Sequence, residues 1–475
     1  MITFFIALIL LIVGYFSYGF FIEKIFHPDD RETPCTVHPD GIDLVPIKKG
    51  RAFLIQLLNI AGLGPIFEAL SGAIWGPIVY IWIVLGTIFA GGVHDFICGM
   101  TSLRNDGASV SEITGIYLGN FVKNIMRVFS VVLLVMVGVV FMVGPANLIS
   151  LLTPDNLNIH FWVIVILIYY FVATFLPIDK IIGKLYPVFG LCLIVMALGV
   201  GCATIFNSNT RPMMELTLQN LHPDDKPIWP LMFITVACGA ISGFHATQSP
   251  MMARCLTSEK DARFVFYGAM VAEGIIALIW ASAGIAFYYN PNSGMLPLLQ
   301  AGGGNSSVVY EMCTSLMGKI GGAFAMVGVI ACPITSGDTA FRSARLTISD
   351  WFKIDQSDIK KRLLLSAPLL FIGYIISKFD YQIVWRYFSW SNQMLAMIML
   401  WTGATYLGKF VSKKTSLIAA IPATFMTAVC ITYILIAEEG FKLSTTISYP
   451  IGIAVAMIFA FIYTYKILYN KPKEL

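Results

Sequence analysis

The sequence predicts an all-α polytopic membrane protein of about thirteen transmembrane helices, ten of them arranged as a 5+5 inverted repeat. Three observations point there. Of the 475 residues, 57% are hydrophobic and only 12% charged, against roughly 45–50% apolar and about 25% charged in a soluble domain. Apolar stretches close to the roughly 20 residues that cross a hydrocarbon core recur along the whole chain. Two of them are broken by glycine and proline, and the breaks lie five spans apart.

The apolar stretches lie near 2–22, 52–70, 74–99, 124–148, 160–177, 184–206 and 228–248, then near 263–289, 316–341, 362–378, 382–408, 415–437 and 447–469. The first lacks a basic leading region and a small-residue cleavage site, so it reads as a retained span and not a signal peptide. The segment 23–51 follows as a cytoplasmic loop with Pro34, Pro39 and Pro46. Residues 52–210 form the first repeat, 228–410 the second, and 411–475 two additional C-terminal helices.

Orientation follows from the positive-inside rule. Lys48, Lys49, Arg51, Arg104, Lys123, Lys180, Lys184, Lys260, Lys353, Lys360, Lys413, Lys471 and Lys473 all fall on one side, together with most of the other Lys and Arg, 31 in total. Arg211, Lys226, Lys319, Lys378, Arg386 and Lys442 fall on the other. The expected arrangement is a multi-pass protein of the bacterial inner membrane, with the N-terminus outside and the C-terminus cytoplasmic. The net charge of +4 therefore reports topology and implies no nucleic-acid partner. The nine cysteines are scattered, without the CxxC or CxxC-to-His spacing of a zinc site.

The second span breaks at Asn59-Ile60-Ala61-Gly62-Leu63-Gly64-Pro65, and the seventh across Gly239 to Pro250. Backbone freed inside a membrane is tolerated where it lines a cavity or is buried in protein. An odd offset of five runs the two halves through the membrane in opposite directions, which places a substrate site at the breaks. The substrate-binding candidates are Asn59, Gly62, Gly64, Gly243, His245, Gln248 and Ser249.

The ninth span ends in a polar stripe, Thr335, Asp338, Thr339, Arg342 and Arg345, which must face the bundle interior or water. Its hydroxyls and carboxylate suit either a hard cation or a proton; alternatively Asp338 forms a structural pair with Arg342, four residues on. In the third span His94 and Asp95 project about 100° apart and are expected to serve different neighbours, Asp95 either meeting the stripe of span nine or making one more buried polar contact that fixes helix packing. Glu68 and Glu273 are further intramembrane candidates, each more simply read as an acid that pairs with a partner elsewhere in the bundle. Arg386, in the aromatic run Trp385 to Gln393, reads as a cation at membrane depth that attracts an anion from outside or closes a gate.

These stretches resemble the carbon starvation protein A family of peptide transporters. The resemblance is carried by Asp29-Asp30-Arg31 with Thr33-Pro34, Asp40-Gly41-Ile42-Asp43 with Val45-Pro46, Ile60 to Pro65 and Gly91 to Phe96, then by Ser242 to Ala246, Thr335 to Arg345 and Arg386 to Gln393. It implies a leucine-transporter-like fold of the APC superfamily and uptake of short peptides or of small carboxylates such as pyruvate by proton symport. It also implies that Ala61, Thr335, Ser336 and Thr339 lie where sodium-coupled relatives hold their cation, with Asp338 added and Asp95 nearby. Where many members carry a His-His pair this chain has Ile55-Gln56. The competing readings are a sodium-coupled amino-acid or peptide symporter, a channel, and a membrane nutrient sensor. An enzyme is not expected, because no nucleophile–base or metal-hydrolase motif is present, nor is any cofactor beyond the coupling ion, H⁺ or Na⁺. The expected partners are a small-molecule substrate and membrane lipid, with the oligomeric state open.

Overall fold

A computed structural model describes residues 1–41, 44–174, 186–290, 294–295, 304–356 and 358–469. Ile42, Asp43, Lys180, Lys184, Lys471 and Lys473 of the sequence argument lie outside the described residues. Among the described residues the regular structure is helical apart from one short pairing, Tyr289–Asn290 with Gly294–Met295, and an isolated bridge between Ile47 and Leu256.

Each expected stretch contains helix. Ile2–Phe26, Val79–Leu103, Asn120–Leu152, Tyr186–Phe206, Glu259–Tyr288, Gly321–Phe352, Leu417–Ile436 and Thr445–Tyr469 are long and apolar enough to cross a membrane, and Lys49–Ala61 with Gly64–Ala73 adds a pair bent by 52°. Ile159–Ala173, Ile359–Ile376 and Tyr381–Phe410 occupy three further stretches. The seventh holds two short helices, Ile228–Thr235 and Gly243–Ala253. Tyr381–Phe410 is less apolar because it carries Arg386, Asn392 and Gln393 within its length.

Two elements depart from the expected boundaries. Helix Val110–Leu118, whose N-cap Ser109 accepts from the Glu112 amide, sits between the third and fourth stretches. The ninth runs on past 341 to Phe352, and the segment ahead of it is set off by Gly318 at φ 69°.

Packing sorts the helices by depth. Val79–Leu103 and Glu259–Tyr288 are each 83% buried across their most apolar window, whereas Ile2–Phe26 and Thr445–Tyr469 are 28% and 17% buried. The first two therefore line the interior, and the terminal helices present apolar side chains such as Ile9, Phe16, Ile458 and Phe461 outward, as lipid contact requires. The third and eighth helices pack with the two broken ones, while the fourth, fifth, ninth and tenth form a second group in which Asn120–Leu152 lies along Gly304–Phe352.

The connecting segments gather on two faces. On one, the Met1 amine meets Glu215 at 2.6 Å and Trp75 Nε1 donates to the Lys226 carbonyl at 3.0 Å. On the other, segment 27–48 is tied down by Ile47 N donating to Cys255 O at 2.9 Å. There the buried Glu259 accepts from Arg104 at 3.0 Å and approaches Arg31 at 3.3 Å.

Candidate functional site

The two breaks touch. The helix Lys49–Ala61 ends at Gly62, whose φ of 45° lies in a region open mainly to glycine, and it resumes in a π-helical turn, Gly64–Glu68. A side chain at Gly64 would run into Cys238 of the second break. That break spans Val236 to Ser242, both in non-helical conformations. At its far end Gly243 lies against the Asn392 carbonyl, leaving no room for a side chain. Gly91 likewise abuts the carbonyl of Ala240. The breaks are dense backbone junctions, held by side chains from the second, third and eleventh stretches.

Those side chains satisfy the freed backbone. Glu68 accepts from the Cys238 amide. Asn392 Oδ1 accepts from the Phe244 amide at 2.7 Å and from Ser242 Oγ at 3.0 Å, and Gln393 donates to the Ile241 carbonyl at 3.1 Å. Asn392 thus caps the second half-helix from another element, a role usually filled by a residue in the same chain segment.

His245, one turn into that half-helix, stands at the centre of a fully buried chain of ionisable groups. Its Nδ1 lies 2.9 Å from Asp95 Oδ2 and its Nε2 lies 3.2 Å from Glu273 Oε2, while Asp95 Oδ1 is 2.7 Å from His94 Nδ1. The Glu273 contact is close but not aligned as a hydrogen bond. Two sequence expectations are corrected here. His94 and Asp95 do not serve different neighbours, because an imidazole and a carboxylate on adjacent residues are long enough to turn toward each other despite the 100° offset. Asp95 meets the second break and not the stripe of span nine, because a π-helical turn at Thr87–Gly91 resets the register of the helix just before it.

The polar stripe forms a separate centre. Asp338 accepts from Tyr186 Oη at 3.1 Å, and Arg342 donates to the Ala173 carbonyl at 3.1 Å. Thr335 Oγ1 donates to Cys332 O at 2.7 Å, Thr339 to Ser336 O at 2.9 Å, and Ser336 reaches across to Leu58 O at 2.8 Å. Of the expected cation region, Ser336 thus stands beside the first broken helix, at Leu58, within one turn of the buried Ala61. The hydroxyl protons of Thr335, Ser336 and Thr339 are directed to carbonyls, which leaves their lone pairs for a cation.

Between the centres several buried polar atoms have no hydrogen-bond partner: Gln56 Oε1, Asn59 Oδ1, Glu68 Oε1, Gln248 Oε1 and Glu273 Oε1. Gln56 Nε2 reaches Ser249 Oγ at 3.2 Å and Gln248 Nε2 reaches Thr247 Oγ1 at 3.0 Å. Unmet acceptors of this kind are expensive in a dry interior, so their concentration at the breaks marks a place built for polar solute, water or protons.

Among the described residues, the opening is far wider on one side. A vestibule of about 300 Å³, lined by Ser71, Trp75, His222, Thr235, Trp385 and Arg386, opens above the breaks, whereas on the opposite side Thr247, Met251, Arg254 and Ser343 leave only about 30 Å³. Arg386 lines this vestibule, 43% exposed, and faces Glu439 at 3.3 Å. Burial, then the nearby Lys226, lowers the pKa of His222 below the usual imidazole value, which favours a neutral ring in the vestibule near pH 7. The larger cavity of about 570 Å³ between Tyr117, Trp401 and Tyr463 opens sideways past the exposed Phe459 and does not reach the breaks.

Cys238 Sγ, a nitrogen of His245 and an oxygen of Glu273 lie within 4.8 Å of one another. Of the two His245 nitrogens, Nδ1 is engaged by Asp95, so only Nε2 is left to join Cys238 and Glu273 in holding a cation. Sequence reasoning missed the roles of Asn392 and Cys238, whereas Glu273, expected to pair with a partner the sequence does not reveal, faces His245. The signal available for Asn392 was an amide pair inside an otherwise apolar stretch.

A family model described as Carbon starvation protein CstA matches residues 1–154, 147–295 and 291–433. An uncharacterized membrane protein of Haemophilus influenzae is 42% identical over 345 residues, covering 62% of this chain and 93% of its own. Peptide transporter CstA of Helicobacter pylori is 26% identical over 88% of this chain and 79% of its own; pyruvate/proton symporter BtsT of Escherichia coli is 26% identical over 68% and 55%. Among solved structures, a manganese transporter of Eremococcus coleocola superposes with a TM-score of 0.60 at 12% identity, covering 90% of this chain and 98% of its own. A Na⁺-coupled sialic acid symporter gives 0.52 at 13%, covering 98% and 99%. The fold is that of leucine-transporter-like secondary transporters.

Proposed function

This chain belongs to the carbon starvation protein CstA family, and we propose that it imports short peptides or small carboxylates such as pyruvate by proton symport and alternating access. The observation that carries the reading is the contact of two broken helices whose junction concentrates unpartnered buried polar atoms beneath a one-sided vestibule. Amides and half-helix ends at such a junction suit a carboxylate. Relatives named as a peptide transporter and as a pyruvate/proton symporter support the substrate class and the coupling ion.

On this reading thirteen spans cross the membrane, with the N-terminus outside. Spans 2–6 and 7–11 form the two repeats, and the breaks take matching positions in spans 2 and 7. Substrate descends past Trp75 and Arg386 to Asn59, Gly64, His245 and Gln248, and leaves when the opposite side opens at Thr247 and Met251. The lone pairs of Ser336, beside Leu58 O, and of its neighbour Thr335 offer a sodium ion a place to bind if sodium replaces the proton. The test is uptake of labelled pyruvate and of dialanine by proteoliposomes under separately imposed proton and sodium gradients. Accumulation of either probe driven by the proton gradient is expected; uptake that never exceeds equilibrium under either gradient would discard the symport reading in favour of a channel.

A further inference from the structure

Within that proton-symport reading, we infer that the coupled proton is held in the chain His94–Asp95–His245–Glu273, at the contact between His245 and Glu273, and not at Asp338. An ionised carboxylate only accepts, and a neutral imidazole carries a single N–H. Of the three nitrogen–oxygen contacts along the chain, those at 2.7 and 2.9 Å are hydrogen bonds and each requires a hydrogen, whereas the one between His245 and Glu273, at 3.2 Å, is close but unaligned. Two neutral imidazoles supply two hydrogens, one from His94 and one from His245. That leaves His245 Nε2 and Glu273 Oε2 facing each other as lone pairs unless an additional proton lies between them.

That additional proton sits on His245, making it an imidazolium between two carboxylates, or on Glu273, whose hydroxyl then donates to Nε2. The Glu273 contact is the longest of the three and the one not aligned as a hydrogen bond, so it is the one that opens when the proton leaves. Without the proton, two lone pairs would face each other in a site where His94, Asp95, His245 and Glu273 are all 0% exposed. Among the described residues no Lys or Arg forms an ion pair with any of the four. The other titratable groups facing them are Glu68, Cys238, Cys98 and Cys332, none of which brings a positive charge, so the balance of charge in the chain depends on its own protons.

Position links this proton to movement. His245 rides on the second half-helix, Asp95 on Val79–Leu103 and Glu273 on Glu259–Tyr288. Opening the Glu273 contact separates the second broken helix from the eighth, next to the substrate junction. His94 Nε2 and Glu273 Oε1, the free ends of the chain, are where the proton enters and leaves.

The test compares wild type with E273Q, D95N and D338N in proteoliposomes, using labelled pyruvate and dialanine. E273Q and D95N are expected to lose accumulation driven by the proton gradient by at least roughly tenfold, while exchange of substrate for substrate stays measurable and no longer varies with pH; D338N keeps accumulation. Retained accumulation in both E273Q and D95N overturns the inference. If wild type itself accumulates neither probe, the symport reading is what has failed, and the proton seat is decided separately by nuclear magnetic resonance of ring-¹⁵N histidine in bilayer-embedded wild type, with H245Q assigning the signal. His245 should carry or share a proton at both nitrogens at acidic pH and expose a bare nitrogen when the pH is raised. A bare nitrogen on His245 at every pH overturns the inference even where the variants fail to insert.

Discussion

Asp338 and Glu273 are both fully enclosed acids, yet their surroundings give them different work. Asp338 accepts from the Tyr186 hydroxyl on a stripe that also carries Arg342 and Arg345, so its charge is needed where it stands. Replacing it with Asn should cost stability, roughly 3–5 kcal/mol for leaving buried cations undercompensated, and Tyr186→Phe should cost about 1 kcal/mol for a lost hydrogen bond. Thermal unfolding in detergent measures both, and the fraction of D338N that inserts should still concentrate substrate. Loss of accumulation by well-folded D338N, with exchange intact, would return the coupling role to that residue. At this scale the sequence was legible for which acids and imidazoles are buried, because a charge inside an apolar run has nowhere else to go. Their partners were not legible: the contact between His245 and Glu273 joins helices whose relative rotation no local pattern encodes.

Each broken helix depends on side chains from elsewhere in the fold. Asn392 serves both the Phe244 amide and Ser242 Oγ, so Asn392→Ala should strand two buried donors at roughly 1–3 kcal/mol and reduce the transport rate more than the amount of inserted protein. Asn392→Asp, which keeps the acceptor, should recover more activity than Asn392→Ala; equal defects in the two would show that the cap is not what matters. Gly64→Leu and Gly243→Leu drive a side chain into Cys238 and into the Asn392 backbone respectively, and uptake should vanish while membrane insertion, followed by fractionation, persists. Undiminished transport by both would place the substrate path elsewhere. The breaks themselves were readable from Gly and Pro in apolar stretches. The π-helical turn Thr87–Gly91 was not, and by redirecting Asp95 it decided which of the two polar centres that acid joins.

For the whole molecule, the two faces of connecting segments make orientation testable. Cysteine accessibility at Thr217 and at Ser258, in a background without native cysteines, should label Thr217 from outside and Ser258 only after permeabilisation; the reverse pattern would overturn an external N-terminus. That the chain is an all-helical polytopic membrane protein was determined by sequence alone, because hydropathy adds up residue by residue along a helix, and the cost of burying backbone and charge in lipid leaves few alternatives. The helical nature of each stretch and the two breaks follow from that local sum. The tertiary structure alone decided that His94, Asp95, His245 and Glu273 form one chain, that Asp338 stands apart with Tyr186, and that Arg386 belongs to the vestibule. Those facts depend on how helices distant in sequence are rotated and shifted against one another, which is set by close packing across the bundle and leaves no periodic trace in any one of them.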